Sequence, residues 1–199
     1  MSETFYEQQR SFTRPACLKR IVVVGVAGVG KTTLAQQLAR SLDVPHVELD
    51  ALFWEVNWTP VSPEIFRERV AQALGGDHWV TDGNFSQVRD LTWDRVNTVI
   101  WLDYGVGTIL LRLLQRTFRR IFTREELWNG NRESFIQGLF TRESIIVWVL
   151  KIYKEKRWRY LAAQVDPAYA HLDIKRLCTP SETRAWLSRF AFLSQGEAL

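Results

Sequence analysis

Residues Gly25-Val26-Ala27-Gly28-Val29-Gly30-Lys31-Thr32 set two glycines, a lysine and a threonine at the spacing GxxxxGK[ST]. That spacing suits a phosphate cradle. Gly25 and Gly30 permit backbone turns that a side chain would block. The amides from Gly25 through Ala27, Gly28, Val29 and Gly30 to Lys31, Thr32 and Thr33 converge on phosphate at the positive end of a following helix. Lys31 supplies a compact cation for the β and γ phosphates, and the Thr32 hydroxyl is a magnesium ligand. The expected ligands are ATP and Mg2+.

Acids and arginines elsewhere fit the same chemistry. Asp82 precedes Gly83, as a second magnesium ligand of the Walker B kind would; an Asp before Gly also forms turns. Asp50 could take a proton from an acceptor hydroxyl or orient that acceptor, or stand as an exposed loop carboxylate. Asp103 is expected to cap the helix after its strand. Arg112, Arg116 and Arg120 recur every four residues, which puts them on one helical face, opposite Leu110, Leu113, Leu114 and Ile121. Arginine forks suit phosphate, so Arg112 and Arg116 are candidates to neutralise charge in a transferring phosphoryl group; a solvated basic face is the plain alternative. Arg119, Arg120 and Arg124 could extend the patch into a lid that excludes water. Together, Lys31, Asp50, Asp82, Arg112 and Arg116 form the candidate catalytic set.

These residues need elements to hold them. Ile21-Val22-Val23-Val24 is a continuous β-branched run, as in a strand buried on both faces. Leu34, Leu38 and Leu42 then repeat at helical spacing over 31–42. Further strands are expected at 45–50, ending in Asp50, at 78–81 before Asp82, at 98–102 before Asp103, and at 171–178. Helices are expected at 62–74, where Ser62-Pro63-Glu64 is a strong start, at 107–122 and at 142–163. A last one opens on the capping box Thr179-Pro180-Ser181-Glu182. The alternation implies an α/β doubly wound, mostly parallel five-stranded sheet, with ligands at the strands' carboxyl ends.

Composition narrows the class. Of 199 residues, 46% are hydrophobic and 24% charged, which excludes wholesale disorder. The net charge of +4 suits a protein handling polyanions but is small for a dedicated nucleic-acid arm. Cys17 and Cys178 form no metal spacing and are expected as buried free thiols in a reducing cytosol. Residues 1–18 read as a flexible leader without the apolar segment of a secretory signal. The apolar run 145–150 is far too short to span a membrane. A cytoplasmic location without membrane association is expected; oligomeric state is open.

The same residues resemble adenylate kinase-like P-loop kinases. Asp82-Gly83 with Arg89 resembles that group's acceptor-contacting element, although Asn84-Phe85-Ser86 departs from its usual continuation. Asp103, Arg112 and Arg116 match the spacing of its lid arginines. A closer resemblance, over about residues 19–190, is to the branch labelled topology modulation protein. It rests on Asp50…Trp54…Trp58, Asp82-Gly83-Asn84 and the Arg-rich helix leading to Leu127-Trp128. The resemblance implies a P-loop NTPase three-layer sandwich of the nucleotide kinase type over 19–199. It implies an acceptor-binding region near 52–75, holding Asp50 and Trp54 with Arg89, and a lid near 116–140. It also implies that the loop at 178–181 lies near the adenine. The activity implied is ATP-dependent phosphoryl transfer to a small-molecule acceptor, nucleotides being one class. A nucleotide-dependent nucleic-acid-binding or regulatory protein is the alternative, motivated by the basic stretches 112–124 and 151–159. The aromatic stretch 148–160 could instead form a subunit interface.

Overall fold

A computed structural model describes residues 20–123, 126–131 and 142–196. The leader 1–18, Cys17, Arg124 and residues 125 and 132–140 of the expected lid lie outside them.

The sheet has five strands: β1 (Arg20–Gly25), β2 (His46–Glu48), β3 (Trp79–Asp82), β4 (Thr98–Leu102) and β5 (Asp173–Leu177). Their order is β2-β3-β1-β4-β5 and every pairing is parallel. The β-branched run in β1 explains its central place. Ile21 and Val23 face one core and Val22 and Val24 the other, all of them buried. A strand apolar on both faces needs cover on both sides.

Helix α1 (Lys31–Leu42) covers the first face through Leu34, Ala35 and Leu38, beside Phe190 of the last helix. On the opposite face α2 (Leu49–Phe53) and α3 (Pro63–Ala73) contribute Leu49, Phe66 and Val70, and α4 (Arg89–Trp93) contributes Trp93. Helices α5 (Val106–Thr123), α6 (Arg142–Val165) and α7 (Pro180–Gly196) complete the layers. The chain is therefore an α/β three-layer sandwich. Among the described residues no helix is long and apolar enough to cross a membrane.

The helix starts follow their local chemistry. The Ser62 hydroxyl accepts from the Ile65 amide at 3.3 Å, with Pro63 in the first turn. Thr179 Oγ1 accepts from the Glu182 amide at 3.1 Å, while Glu182 accepts from the Cys178 amide at 2.7 Å. Helix α4 is a short element that sequence reading did not resolve.

Four expectations need correction. β2 stops at Glu48, and Asp50 occupies the first turn of α2 rather than a strand end. Asp103 caps no helix: its buried carboxylate accepts from Arg157 Nε at 3.1 Å and Arg176 Nε at 2.9 Å. Two guanidinium groups outcompete the amides of the following turn for so desolvated an anion. Leu114 does not face the core but is 55% exposed. Cys178 is a free thiol, as expected, but exposed.

Candidate active site

The phosphate loop joins β1 to α1 at the centre of the sheet. Gly25 has φ +149°, and a Cβ there would lie 2.8 Å from the Leu102 carbonyl oxygen of neighbouring β4. Gly30 has φ +103°, and a Cβ would lie 3.0 Å from Arg112 Nη1. Arg112 can approach because residue 30 has no side chain. Its Nη1 donates to the Val29 carbonyl at 2.7 Å, and its guanidinium rests 5.1 Å from the Tyr104 ring centre. Helix α5 is thereby fastened directly to the loop.

Lys31 Nζ donates to the Val26 carbonyl at 3.3 Å. Desolvation lowers its pKa, Lys156 and Arg116 lower it further, and Asp82 and Asp50 oppose them. An ammonium short of counter-charge is prepared for a polyanion.

Beside it, Thr32 Oγ1 donates to Asp82 Oδ2 at 2.6 Å. Asp82 is fully buried, and its other oxygen lies 2.8 Å from His46 Nε2. The parallel register sets Glu48 opposite Asp82, and Glu48 Oε1 is 3.4 Å from the Thr32 hydroxyl. Burial raises the Glu48 pKa, with Asp82 adding to it and a hydrogen bond from Trp128 opposing. Burial likewise raises the Asp50 pKa; Lys31 pulls it back and Asp82 pushes it up.

The residues 54–60 form a compact turn closed by the Trp54–Pro60 bridge. Trp54 and Trp58 meet edge to face at 5.7 Å, and Trp58 meets Trp128 at 6.1 Å. Asn131 straps residues 126–131 onto this turn. Its amide donates to the Glu55 carbonyl at 2.7 Å and its oxygen accepts from the Trp58 amide at 2.8 Å.

These groups surround a cavity of about 870 Å³. Of the residues expected from sequence, Lys31, Thr32, Asp50, Trp54, Arg112 and Arg116 line it, with Ala27, Gly28, Gly30 and Thr33 of the loop. Glu48, Trp58, Trp128, Gln36 and Gln115 also line it and had not been singled out as site residues. Arg119 and Arg120 continue the α5 wall. Gly25, Val29 and Asp82 are not among the lining residues. Arg89 is elsewhere: its guanidinium sits 4.1 Å from the Trp93 ring centre and 5.1 Å from that of Tyr169. A second cavity of about 340 Å³ shares Gly30, Thr33 and Arg112 with the first and reaches Pro180, Thr183 and Arg184 of α7.

The shikimate kinase family model matches residues 27–147, from the phosphate loop into α6. This chain belongs to the shikimate kinase family. The shikimate kinase of Bacteroides thetaiotaomicron shares the fold with a TM-score of 0.53 at 17% identity, over 89% of this chain and 99% of that one. A gluconokinase from Sinorhizobium meliloti aligns at 16% identity with a TM-score of 0.49, over 92% of this chain and 99% of that one. A cytidylate kinase of Nitratidesulfovibrio vulgaris is 38% identical over 64 residues, which is 31% of this chain and 28% of that protein. All three are named as kinases. Their names differ in the acceptor.

Proposed function

We propose that this chain is an ATP-dependent phosphotransferase that moves the γ-phosphoryl group to a hydroxyl of a small-molecule acceptor. The observation that carries this reading is one cavity lined by both Lys31 and Asp50, with the α5 arginines forming another part of its wall. Donor-binding cations and a carboxylate able to serve the acceptor thus border the same space. The second cavity, between Gly30 and the start of α7, suits the nucleoside part of ATP.

Magnesium fits the residues present. The Thr32 hydroxyl and Asp82 carboxylate are hard oxygen donors 2.6 Å apart, and hard donors suit this cation. When bound there, magnesium would neutralise charge on the donor's phosphates.

In the proposed mechanism the loop amides and Lys31 hold the phosphates. Asp50 accepts the proton of the acceptor hydroxyl as its oxygen attacks the γ-phosphorus. The new P–O bond forms as the bond to the β–γ bridging oxygen breaks, and ADP leaves. Arg112 and Arg116 stabilise charge on the equatorial oxygens. A carboxylate whose pKa burial has raised is a better base than an ordinary aspartate. Residues 126–131 and the α5 arginines would cover the site and limit hydrolysis.

The narrower resemblance to topology modulation proteins belongs to this proposal too. Asp50, Trp54, Trp58 and Trp128, which carry it, all border the cavity. The nucleic-acid alternative gains no comparable support. Arg157 pairs with Asp103 and Arg159 with Glu155, which breaks up the basic stretch. In the aromatic stretch Tyr160 is buried and Trp158 is exposed.

The deciding experiment measures ADP release from Mg-ATP across nucleotides, nucleosides, sugars and hydroxylated metabolites, with Lys31→Ala as control. Stimulation by one acceptor class, abolished in the variant, is expected. Slow hydrolysis indifferent to every acceptor would sink the kinase reading.

A further inference from the structure

Asp82 ends β3 and is fully buried. Its carboxylate is held from two directions. Oδ2 accepts from the Thr32 hydroxyl at 2.6 Å, and Oδ1 lies 2.8 Å from His46 Nε2. An ionised carboxylate only accepts, so the ring nitrogen facing it carries the hydrogen. The two donors come from different elements, Thr32 from the first turn of α1 and His46 from the edge strand β2.

The sheet fixes His46 for this contact. In the parallel register His46 stands opposite Val80 and Glu48 opposite Asp82. Residues 46 and 48 share a face of their strand, as do 80 and 82, so His46 reaches Asp82 along the diagonal. Two further bonds hold that register. The Val80 amide donates to the Pro45 carbonyl at 2.9 Å, and the Thr81 hydroxyl donates to the Val47 carbonyl at 2.7 Å. The imidazole is only 17% exposed, so most of it is withdrawn from water.

What the contact does follows from Thr32. Thr32 lines the large cavity, and neither Asp82 nor His46 is among the lining residues. A hydroxyl that gives its hydrogen to a carboxylate keeps its lone pairs for a cation. A carboxylate held at one oxygen by Thr32 alone could turn about its Cβ–Cγ bond, and the hydroxyl would turn with it. A second donor at the other oxygen removes that freedom. Partners behind a metal ligand orient it in this way. Imidazole is itself a poor ligand for so hard a cation as magnesium, which favours support over ligation.

Resting on the kinase reading above and its magnesium site, we propose that His46 is a positioning residue of that site. Its ring N–H holds the Asp82 carboxylate in place, and Asp82 in turn fixes the Thr32 hydroxyl for the cation.

The test follows binding of Mn2+, as the probe, to the full chain with a non-hydrolysable ATP analogue, by electron paramagnetic resonance. It needs no acceptor. His46→Ala and His46→Leu remove the donor, whereas His46→Gln keeps an amide N–H near the place of Nε2. The first two should bind Mn2+ about ten- to a hundredfold more weakly, and His46→Gln should recover most of that loss. Affinity for the same analogue in EDTA should change far less in all three, which a general loosening of the sheet would not allow. In an Asp82→Asn background, adding His46→Ala should cost little more, because the two residues act as a unit.

Unchanged Mn2+ affinity without the donor, a glutamine variant as weak as the alanine one, or an equal loss of metal-free binding would overturn the proposal and leave the kinase reading standing. Should the alanine and leucine variants not fold, His46→Gln decides: retained Mn2+ affinity supports the donor role and weakened affinity overturns it. If the wild-type chain with the analogue bound no Mn2+, the proposal would fall together with the magnesium site it rests on. Failure to phosphorylate any acceptor, with the Mn2+ results as expected, would remove the kinase reading alone.

Discussion

At the residue scale, charge is held under tension. Lys31 has its pKa lowered by burial, while Glu48 and Asp50 have theirs raised by it. For a carboxyl whose folded pKa lies above its unfolded value, protonation favours the folded state. That contribution is present below the ordinary carboxylate range and is lost as pH rises through the elevated folded pKa. Once ionised, Glu48 is therefore a cost to the free protein, and on the alkaline side of that transition Glu48→Gln should melt at a higher temperature by calorimetry. For catalysis the sign reverses, because a base must be deprotonated. The acid limb of kcat should lie above the ordinary aspartate range, and Asp50→Asn should lower kcat by about 10²–10⁴-fold and flatten that limb. An unchanged acid limb in the variant would make Asp50 a positioning group only.

At the element scale, two ties connect segments far apart in sequence. Asp103, at the end of β4, binds Arg157 of α6 and Arg176 of β5. Its carboxylate is nearly sealed from water, whereas both arginines retain access. Asp103→Ala should cost about 1–3 kcal/mol in urea denaturation. That is less than the ~3–5 kcal/mol of a fully buried pair, since the arginines left behind can hydrate. The other tie is Asn131, buried between the turn at 54–60 and Trp128, with hydrogen bonds to Glu55, Trp58 and Trp128. Asn131→Ala should raise the acceptor KM by about tenfold, as losing about 1.4 kcal/mol would, and leave that of Mg-ATP nearly unchanged. Equal changes in both constants would show that the strap holds the whole site rather than its acceptor half.

For the whole molecule, a single sheet carries the phosphate loop after β1 and Asp50 in the helix that follows β2. A ligand that binds only the folded state adds about 2.7 kcal/mol at one hundred times its dissociation constant. For a chain of this size that is a rise of about 5–10 °C in Tm. Mg-ATP should produce it, and Lys31→Ala should abolish it in a thermal shift measurement. The fold itself was largely legible, because it is written in local pattern: a β-branched run, a glycine turn, a leucine repeat, a capped helix start. Each has a short-range cause. The phosphate loop was legible for the same reason, being eight consecutive residues whose spacing is their function.

What the sequence could not show is which distant groups meet. It determined the five parallel strands, the loop between β1 and α1, and the arginine spacing on α5. Only the tertiary structure decided that Asp103 would be held by Arg157 and Arg176, and that Arg89 would stack on Trp93 and Tyr169 away from the cavity. It also set His46 against Asp82, and brought Glu48 and Trp128 to the cavity wall. The physical reason is that burial and register, not residue type, choose a charged group's partner. A carboxylate pairs with whichever donor the packed sheet and helices leave within reach, and that choice exists only once the chain has closed.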